Sequence, residues 1–277
     1  MRILIFGNGY LASEYTRANI FNEVYRSSAD ITHHQQIQEE TRIHHPDAII
    51  NCAGKTNLEW CRDNQLQALF SNVVGPLFLL RMANEMNIPL VHIGSGCIFE
   101  GIGEKGQGFT ENDTPNPQCF YSYTKVMADN FLMQANTQSV LIIRIRQPFS
   151  EIQHPRNLIT KLITYEKLII SPNSMTYVPD LVATTKFLLE KKQFGIFNIC
   201  NPSTISPYEI GVLAKKYLGS QKNIIPISKE ELDDMDKHQH REKRVDTIIN
   251  TNKLQHCSIF LEDVHTRIKF ALQQYRT

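Results

Sequence analysis

Tyr121 and Lys125 stand four residues apart in Y-S-Y-T-K. On a helix that spacing puts both side chains on one face. An ammonium there stabilises a phenolate, lowering the phenol pKa from about 10 toward neutrality. A phenol tuned this way exchanges a proton with a carbonyl or alcohol oxygen. The pair is a short motif, so its weight comes from its surroundings. The main one is Gly7-Asn8-Gly9-Tyr10-Leu11-Ala12, which follows the apolar run Arg2–Phe6. In G-x-G-x-x-A the first glycine allows a tight turn and the second lets backbone approach a pyrophosphate. The small third residue lets helix and strand pack closely, with the helix N-terminus facing the anion. Asn8, Tyr10 and Leu11 complete this dinucleotide turn.

The second strand should end at Val24-Tyr25-Arg26-Ser27-Ser28. A binder of NAD often carries an acidic residue there for the ribose 2′-hydroxyl. Arg26 with two serines suits a 2′-phosphate instead, so NADPH/NADP is the expected cofactor. Asp30 and Ile31 would flank the adenine. Cys52-Ala53-Gly54 supply small residues where the third strand passes close to a cofactor.

The elements that must position these groups alternate in type. Arg2–Phe6, Glu23–Arg26, Asp47–Ala53, Pro89–Gly94 and Val140–Ile145 read as strands, with helical stretches between them. The longest helical stretch is Glu59–Asn87. Strand and helix in alternation mean βαβ units and a parallel sheet. The expected fold is therefore α/β, a Rossmann-type doubly wound parallel sheet with a smaller C-terminal substrate-binding region. Residues 1–150 would form the nucleotide domain, with further Rossmann elements around 178–200, and 151–277 mainly the substrate region. In the latter, Asn157–Lys167, Pro179–Lys191, Pro207–Leu218 and Leu261–Tyr275 read as helices, Gly195–Ile199 as a strand and Gln221–Ile227 as extended. Lys229–Arg244 is a mixed-charge run of the kind that forms a solvated face.

Composition narrows the classes. The chain has 277 residues, 42% of them hydrophobic, enough for a substantial core. Lys+Arg is 29 and Asp+Glu is 28, a net charge of +1. That balance makes no case for a nucleic-acid or membrane-surface protein. The opening apolar run is too short for a signal-peptide core, and no stretch reaches about 18 uninterrupted apolar residues. The six cysteines form no C-x-x-C pair, which argues against zinc or a disulfide framework and for reduced thiols. His33-His34 and His44-His45 lack partners at metal-ligand spacing, so no metal is expected. His92 reads as a core strand residue, and Gly101–Gly108 as a mobile loop without the Walker Lys-Ser/Thr.

At this point the chain resembles the extended short-chain dehydrogenase/reductase family, in its nucleotide-sugar branch. The likeness is carried by G-C-I-F-E (Gly96–Glu100), F-T-E-N-D-T-P-N (Phe109–Asn116), F-Y-S-Y-T-K (Phe120–Lys125), P-R-N-L-I-T-K (Pro155–Lys161) and P-N-S-M-T (Pro172–Thr176). It is similar to the bifunctional UDP-4-keto-6-deoxy-D-glucose 3,5-epimerase/4-reductases of UDP-L-rhamnose synthesis, from plants and giant viruses. It is more distantly similar to dTDP-4-dehydrorhamnose reductases. The resemblance implies roles. Ser95 would hydrogen-bond the sugar carbonyl, Tyr121 would donate the proton, and Lys125 would hold the ribose and lower the Tyr pKa. Cys97 would be the epimerase base and Lys161 its partner acid. Arg244 would bind the substrate diphosphate with its bidentate fork, and Asn157 would face the nucleotide-sugar. The implied activity is epimerisation and 4-keto reduction of an NDP-4-keto-6-deoxyhexose, the UDP-linked form being the expectation. The glycine turn is one residue shorter than in this branch, and the segment after Gly54 is shorter than in the plant enzymes. Two rivals stay open: a 3-epimerase/4-reductase or plain 4-reductase on a UDP-2-acetamido-2,6-dideoxy-4-keto-hexose, and a non-catalytic NADP-binding regulatory subunit. A cytoplasmic location (host cytoplasm for a viral protein) and a homodimer would fit.

Overall fold

A computed structural model describes residues 1–135 and 138–275. In chain order the elements begin with β1 (Arg2–Phe6), α1 (Tyr10–Arg17), β2 (Glu23–Ser27), α2 (His34–His44), β3 (Ala48–Asn51), α3 (Leu58–Asp63), α4 (Gln65–Leu69) and α5 (Gly75–Met86). They continue with β4 (Leu90–Ser95), α6 (Phe120–Ala135), β5 (Val140–Ile145), β6 (Pro148–Phe149), α7 (Leu158–Leu162), β7 (Lys167–Ile169), β8 (Thr176–Tyr177) and α8 (Val178–Glu190). Last come β9 (Gly195–Asn198), α9 (Pro207–Leu218), β10 (Ile225–Ile227), α10 (Lys229–His238), α11 (Asn252–His256) and α12 (Val264–Gln273).

The chain divides into two compact units. The first comprises Met1–Ile98, Pro115–Arg144 and Val182–Phe197. Its sheet has six strands in the order β2-β1-β3-β4-β5-β9, parallel where β1 meets β2 and β3 and where β3 meets β4. Strands buried on both faces need continuous apolar runs, and R-I-L-I-F and V-L-I-I-R-I provide them. The order reverses between β1 and β3, a topological switch of the kind where open α/β sheets bind ligands at the strand carboxyl ends. Helices α2, α5 and α6 pack Ile37, Leu79, Leu80, Met82, Ala83 and Leu132 against Leu4, Phe6, Ile49 and Ile142. The run Gln65–Met86 passes a length-and-apolarity test for a membrane span, but more than half of its most apolar window is buried here, as in a core helix.

That run is not the uniform helix expected over Glu59–Asn87. It breaks at Asn64 and contains a π-helical turn over Phe70–Val74. The turn presents the buried Asn72, whose Oδ1 accepts from Lys55 N at 2.7 Å. Its Nδ2 donates to Lys55 O at 2.9 Å and to Thr124 Oγ1 at 3.0 Å. Such turns recur near functional sites, and this one ties the segment after Gly54 to α6.

The second unit comprises Phe99–Thr114, Ile145–Leu181 and Asn198–Thr277. Two small parallel pairs, β7 with β10 and β6 with β8, lie within it. Its core joins Phe149, Ile159, Leu162, Leu168, Met175 and Tyr177 to Ile210, Val264, Ile268 and Leu272. Residues 99–114 belong to it because backbone bonds tie them to 246–250. Gly101 N donates to Asp246 O and Ile248 N to Gly101 O, while Phe109 N donates to Ile248 O and Asn250 N to Phe109 O. The Gly101–Gly108 loop is thus anchored at both ends. The helix expected over Asn157–Lys167 shrinks to the five residues of α7, and Lys167 begins β7 instead.

Candidate active site

The glycine turn sits at the switch. Gly7 has φ +117°, a conformation that L side chains rarely adopt. A Cβ there would stand 2.7 Å from Ala53 N and 2.8 Å from Cys52 C, so two backbones meet with no room between them. At Gly9 the same construction meets nothing within 4 Å. Gly9 is the N-cap of α1, no side chain caps the helix there, and the first turn holds no acidic residue. This end of α1 is a cradle suited to an anion. Asn8 beside it is exposed, Tyr10 and Ala12 are buried, and Leu11 is half-buried. Arg26 is exposed at the end of β2, near enough to Cys52 to act on it electrostatically. Burial outweighs that and pushes the Cys52 thiol up to about 12. Ser27 is buried and its Oγ accepts from Ala29 N at 3.0 Å. Asp30 Oδ1 accepts from Thr32 N at 2.9 Å, and Ile31 packs into the core of this unit.

Ser95, Cys97, Tyr121 and Lys125 come together in the same unit. Ser95 ends β4, its Oγ accepts from Cys97 N at 3.1 Å, and it lies close enough to Tyr121 to act on the phenol. Ser122 Oγ donates to Cys97 O at 2.8 Å, fixing the short 3-10 turn Gly96–Ile98 against α6. Lys125 Nζ donates to Ile93 O at 2.8 Å, so the ammonium is held against β4, one helical turn from the phenol.

The electrostatics correct one expectation. The Tyr121 phenol lies above its ordinary pKa, not below it. Burial is the largest cause and Cys97 adds to it, against the pull of the neighbouring Ser95. Desolvation disfavours the phenolate more than its neighbours favour it. Tyr121 is therefore protonated at neutral pH, the state a proton donor needs. Burial also pushes Lys125 down to about 8, against the pull of Asp129, Cys52 and Cys97.

Lys161, Asn157 and Arg244 lie in the second unit. Lys161 is on α7 and reaches the surface. Desolvation by the surrounding protein, then the cations of Arg156 and Arg244, hold it below the usual lysine value. Arg244 Nε lies 3.9 Å from Oδ2 of the buried Asp236. Asn157 has no exposure. Its Oδ1 caps α7 by accepting from Ile159 N at 3.0 Å, and its Nδ2 donates to Ser150 O and Ile152 O. In this structure its side chain builds the loop it stands in.

Asn51, Asn72, His92 and Asp129 escaped the sequence reading as site residues. All are buried, and Asn51 and His92 are polar residues interrupting otherwise apolar strand runs. That interruption is the one signal they carry, because buried polar groups need partners. Among the described residues no cluster of His, Cys, Asp and Glu could hold a metal ion.

The family model described as the RmlD substrate binding domain matches residues 1–275. A stretch of 183 residues is 36% identical to the bifunctional dTDP-4-dehydrorhamnose 3,5-epimerase/dTDP-4-dehydrorhamnose reductase of Arabidopsis thaliana, covering 62% of this chain and 60% of that protein. The chain thus matches less than two thirds of that relative's length. The crystal structure of a UDP-rhamnose synthase from Acanthamoeba polyphaga mimivirus superposes with a TM-score of 0.89 at 29% identity, over 99% of both chains. The dTDP-4-dehydrorhamnose reductase of Bacillus anthracis, solved in complex with NADP, superposes at 0.84 with 20% identity, over 99% of this chain and 96% of that one, and shares the fold.

Proposed function

The chain belongs to the RmlD substrate binding domain family, and from that premise we propose that it is an NADPH-dependent nucleotide-sugar 4-keto reductase of rhamnose synthesis. The observation that carries this is Ser95 standing close enough to Tyr121 to act on its phenol, with Lys125 one turn along α6, in the unit that holds the glycine cradle. The names of the similar proteins support the same reading.

The cradle at Gly7 and Gly9 fits a dinucleotide pyrophosphate, and Arg26 with Ser28 fits a 2′-phosphate at the end of β2. NADPH, when bound, supplies hydride for C4 of the sugar. The chain's own residues handle the oxygen. Ser95 and Tyr121 donate hydrogen bonds to O4, where negative charge develops, each well-placed donor worth about 3–4 kcal/mol. Tyr121 gives its proton to that oxygen, and the Lys125 ammonium steadies the phenolate left behind.

The finer reading is a UDP-linked 4-keto-6-deoxyhexose, epimerised before it is reduced. The 4-carbonyl acidifies the neighbouring C–H bonds. Cys97 as thiolate removes such a proton, Ser95 and Tyr121 hold the enolate oxygen, and Lys161 returns a proton to the inverted carbon. The lowered Lys161 value makes it a readier proton donor than an ordinary lysine. Arg244 serves the diphosphate.

The test is incubation with NADPH and three substrates in parallel: UDP-4-keto-6-deoxyglucose, its dTDP counterpart and the UDP-linked 2-acetamido analogue. Loss of NADPH absorbance is followed, and products are assigned by NMR. The expected result is oxidation with the UDP sugar and an L-rhamnose configuration. A product reduced but not inverted leaves a plain reductase. No oxidation with any of the three overturns the proposal.

A further inference from the structure

Two polar side chains without solvent exposure stand behind Lys125. They are Asn51 at the end of β3 and His92 in the middle of β4. The mechanism above uses neither. Their hydrogen bonds have a polarity that can be followed atom by atom. Ala53 N–H can only donate, and it donates to Asn51 Oδ1 at 3.0 Å. The other end of that amide, Nδ2, faces His92 Nδ1 at 3.0 Å. An amide nitrogen also only donates, so Nδ1 must present its lone pair. Turning the amide over would set its NH2 against the Ala53 N–H, donor against donor. Burial, and then the neighbouring lysine, hold His92 well below its usual pKa, so the ring is neutral with one proton. That proton is on Nε2, and Nε2 faces Lys125 Nζ at 3.3 Å.

We infer that Asn51 and His92 are positioning residues for Lys125: they turn an N–H rather than a lone pair toward its ammonium and deny it an interior acceptor there. An ammonium has three donors. Among the described residues Lys125 has one acceptor, Ile93 O. The other two donors remain for what enters the site. On the reductase reading, these are the ribose hydroxyls and the Tyr121 oxygen. The Ala53 N–H that orients Asn51 belongs to the same backbone that abuts Gly7. One hydrogen-bonded chain thus runs from behind the glycine turn to the lysine.

The arrangement has a pH consequence. An Nε2–H facing Nζ disfavours the charged lysine and suits the neutral amine, which can accept. It works alongside burial. The groups that oppose it are Asp129 on α6, itself paired with Arg144 of β5 at 2.9 Å, with Cys52 after β3 and Cys97 after β4. With Lys125 near 8, turnover should fall as pH rises through that value and the ammonium is lost. Giving Nε2 a lone pair instead should move the fall to higher pH.

The first experiment needs no substrate. Protein labelled with 15N-histidine is examined by long-range 1H–15N correlation, and the His92 signals are assigned by their loss in His92→Gln. The expected pattern is an unprotonated Nδ1 and a protonated Nε2; the reverse overturns the inference. The second uses Asn51→Asp. Its carboxylate accepts from both Ala53 N–H and imidazole Nδ1–H, which moves the histidine proton and turns Nε2 into an acceptor. The expected result is the reversed pattern, about a ten-fold loss of turnover and an alkaline limb about one pH unit higher. An Asn51→Asp protein with the wild-type pattern and limb overturns it as well. A merely structural role would lower thermal stability and leave the histidine pattern unmoved, the limb then rising only by the charge of the new carboxylate. If that variant does not fold, the wild-type pattern decides. Failure of the reductase reading would leave the tautomer result standing, so the two can be told apart.

Discussion

Gly7→Ala and Gly9→Ala should fail in different ways, although the two glycines are two residues apart in one motif. At Gly7 the new methyl would sit 2.7 Å from Ala53 N, 2.8 Å from Cys52 C and 3.0 Å from Ala53 Cα, in a residue with φ +117°. The dihedral alone costs about 1–3 kcal/mol. Forcing two backbones apart at the end of a central strand adds about 1–3 kcal/mol, as overpacking does. Taking about 4 kcal/mol together, and about 2–4 °C of Tm per kcal/mol for a chain of this size, the melting point should drop by about 10 °C. At Gly9 φ is −89° and the methyl meets no protein atom within 4 Å. Stability should stay within about 0.5 kcal/mol of wild type. If the space above Gly9 is where the pyrophosphate lies, the methyl meets the cofactor instead, and NADPH should bind at least about ten-fold more weakly. Differential scanning fluorimetry without cofactor and NADPH titration by fluorescence measure the two effects separately. A Gly9→Ala protein that binds NADPH as tightly as wild type would refute the placement of the pyrophosphate. A Gly7→Ala protein of unchanged Tm would refute the packing argument.

Three further predictions address the chemistry. Tyr121→Phe should lower NADPH oxidation by about 10²–10⁴-fold and leave the NADPH Kd within two-fold, since the phenol's task is proton transfer; near wild-type turnover in a stopped-flow assay sinks the mechanism. Arg26→Ala should remove most of a several-fold preference for NADPH over NADH, because a charge-assisted contact with the 2′-phosphate is lost. Equal affinities in the wild type would show that Arg26 makes no such contact. Cys97→Ser should stop solvent deuterium from entering the carbons beside the carbonyl while reduction continues, because a serine hydroxyl is too weak an acid to supply the anion. NMR of product formed in D2O reads this, and continued incorporation would place the base elsewhere.

The parts of this protein that could be read from the chain are those governed by near neighbours. The dinucleotide turn follows from glycines two apart after a five-residue apolar run. The shared face of Tyr121 and Lys125 follows from an i, i+4 spacing, and the parallel sheet from apolar runs alternating with helical periodicity. These depend on backbone conformation and on residues within one turn or one strand, so types and spacing suffice. Other features needed the fold. Ser95 and Tyr121 are 26 residues apart and meet because β4 ends beside the start of α6. Residues 99–114 pair with 246–250, across more than a hundred residues, and so fall outside a boundary near 150. Asn51 and His92 meet because β3 and β4 pair in a register that sets Asn51 opposite His92. The direction of the Tyr121 shift reverses for a related reason. Spacing puts a lysine on the same helix face, but only tertiary packing sets how much water is removed from the phenol and brings Cys97 beside it, and both push the phenol up. Local rules therefore place the reacting groups on their elements, while strand register and burial decide which of them touch and which protonation state each holds.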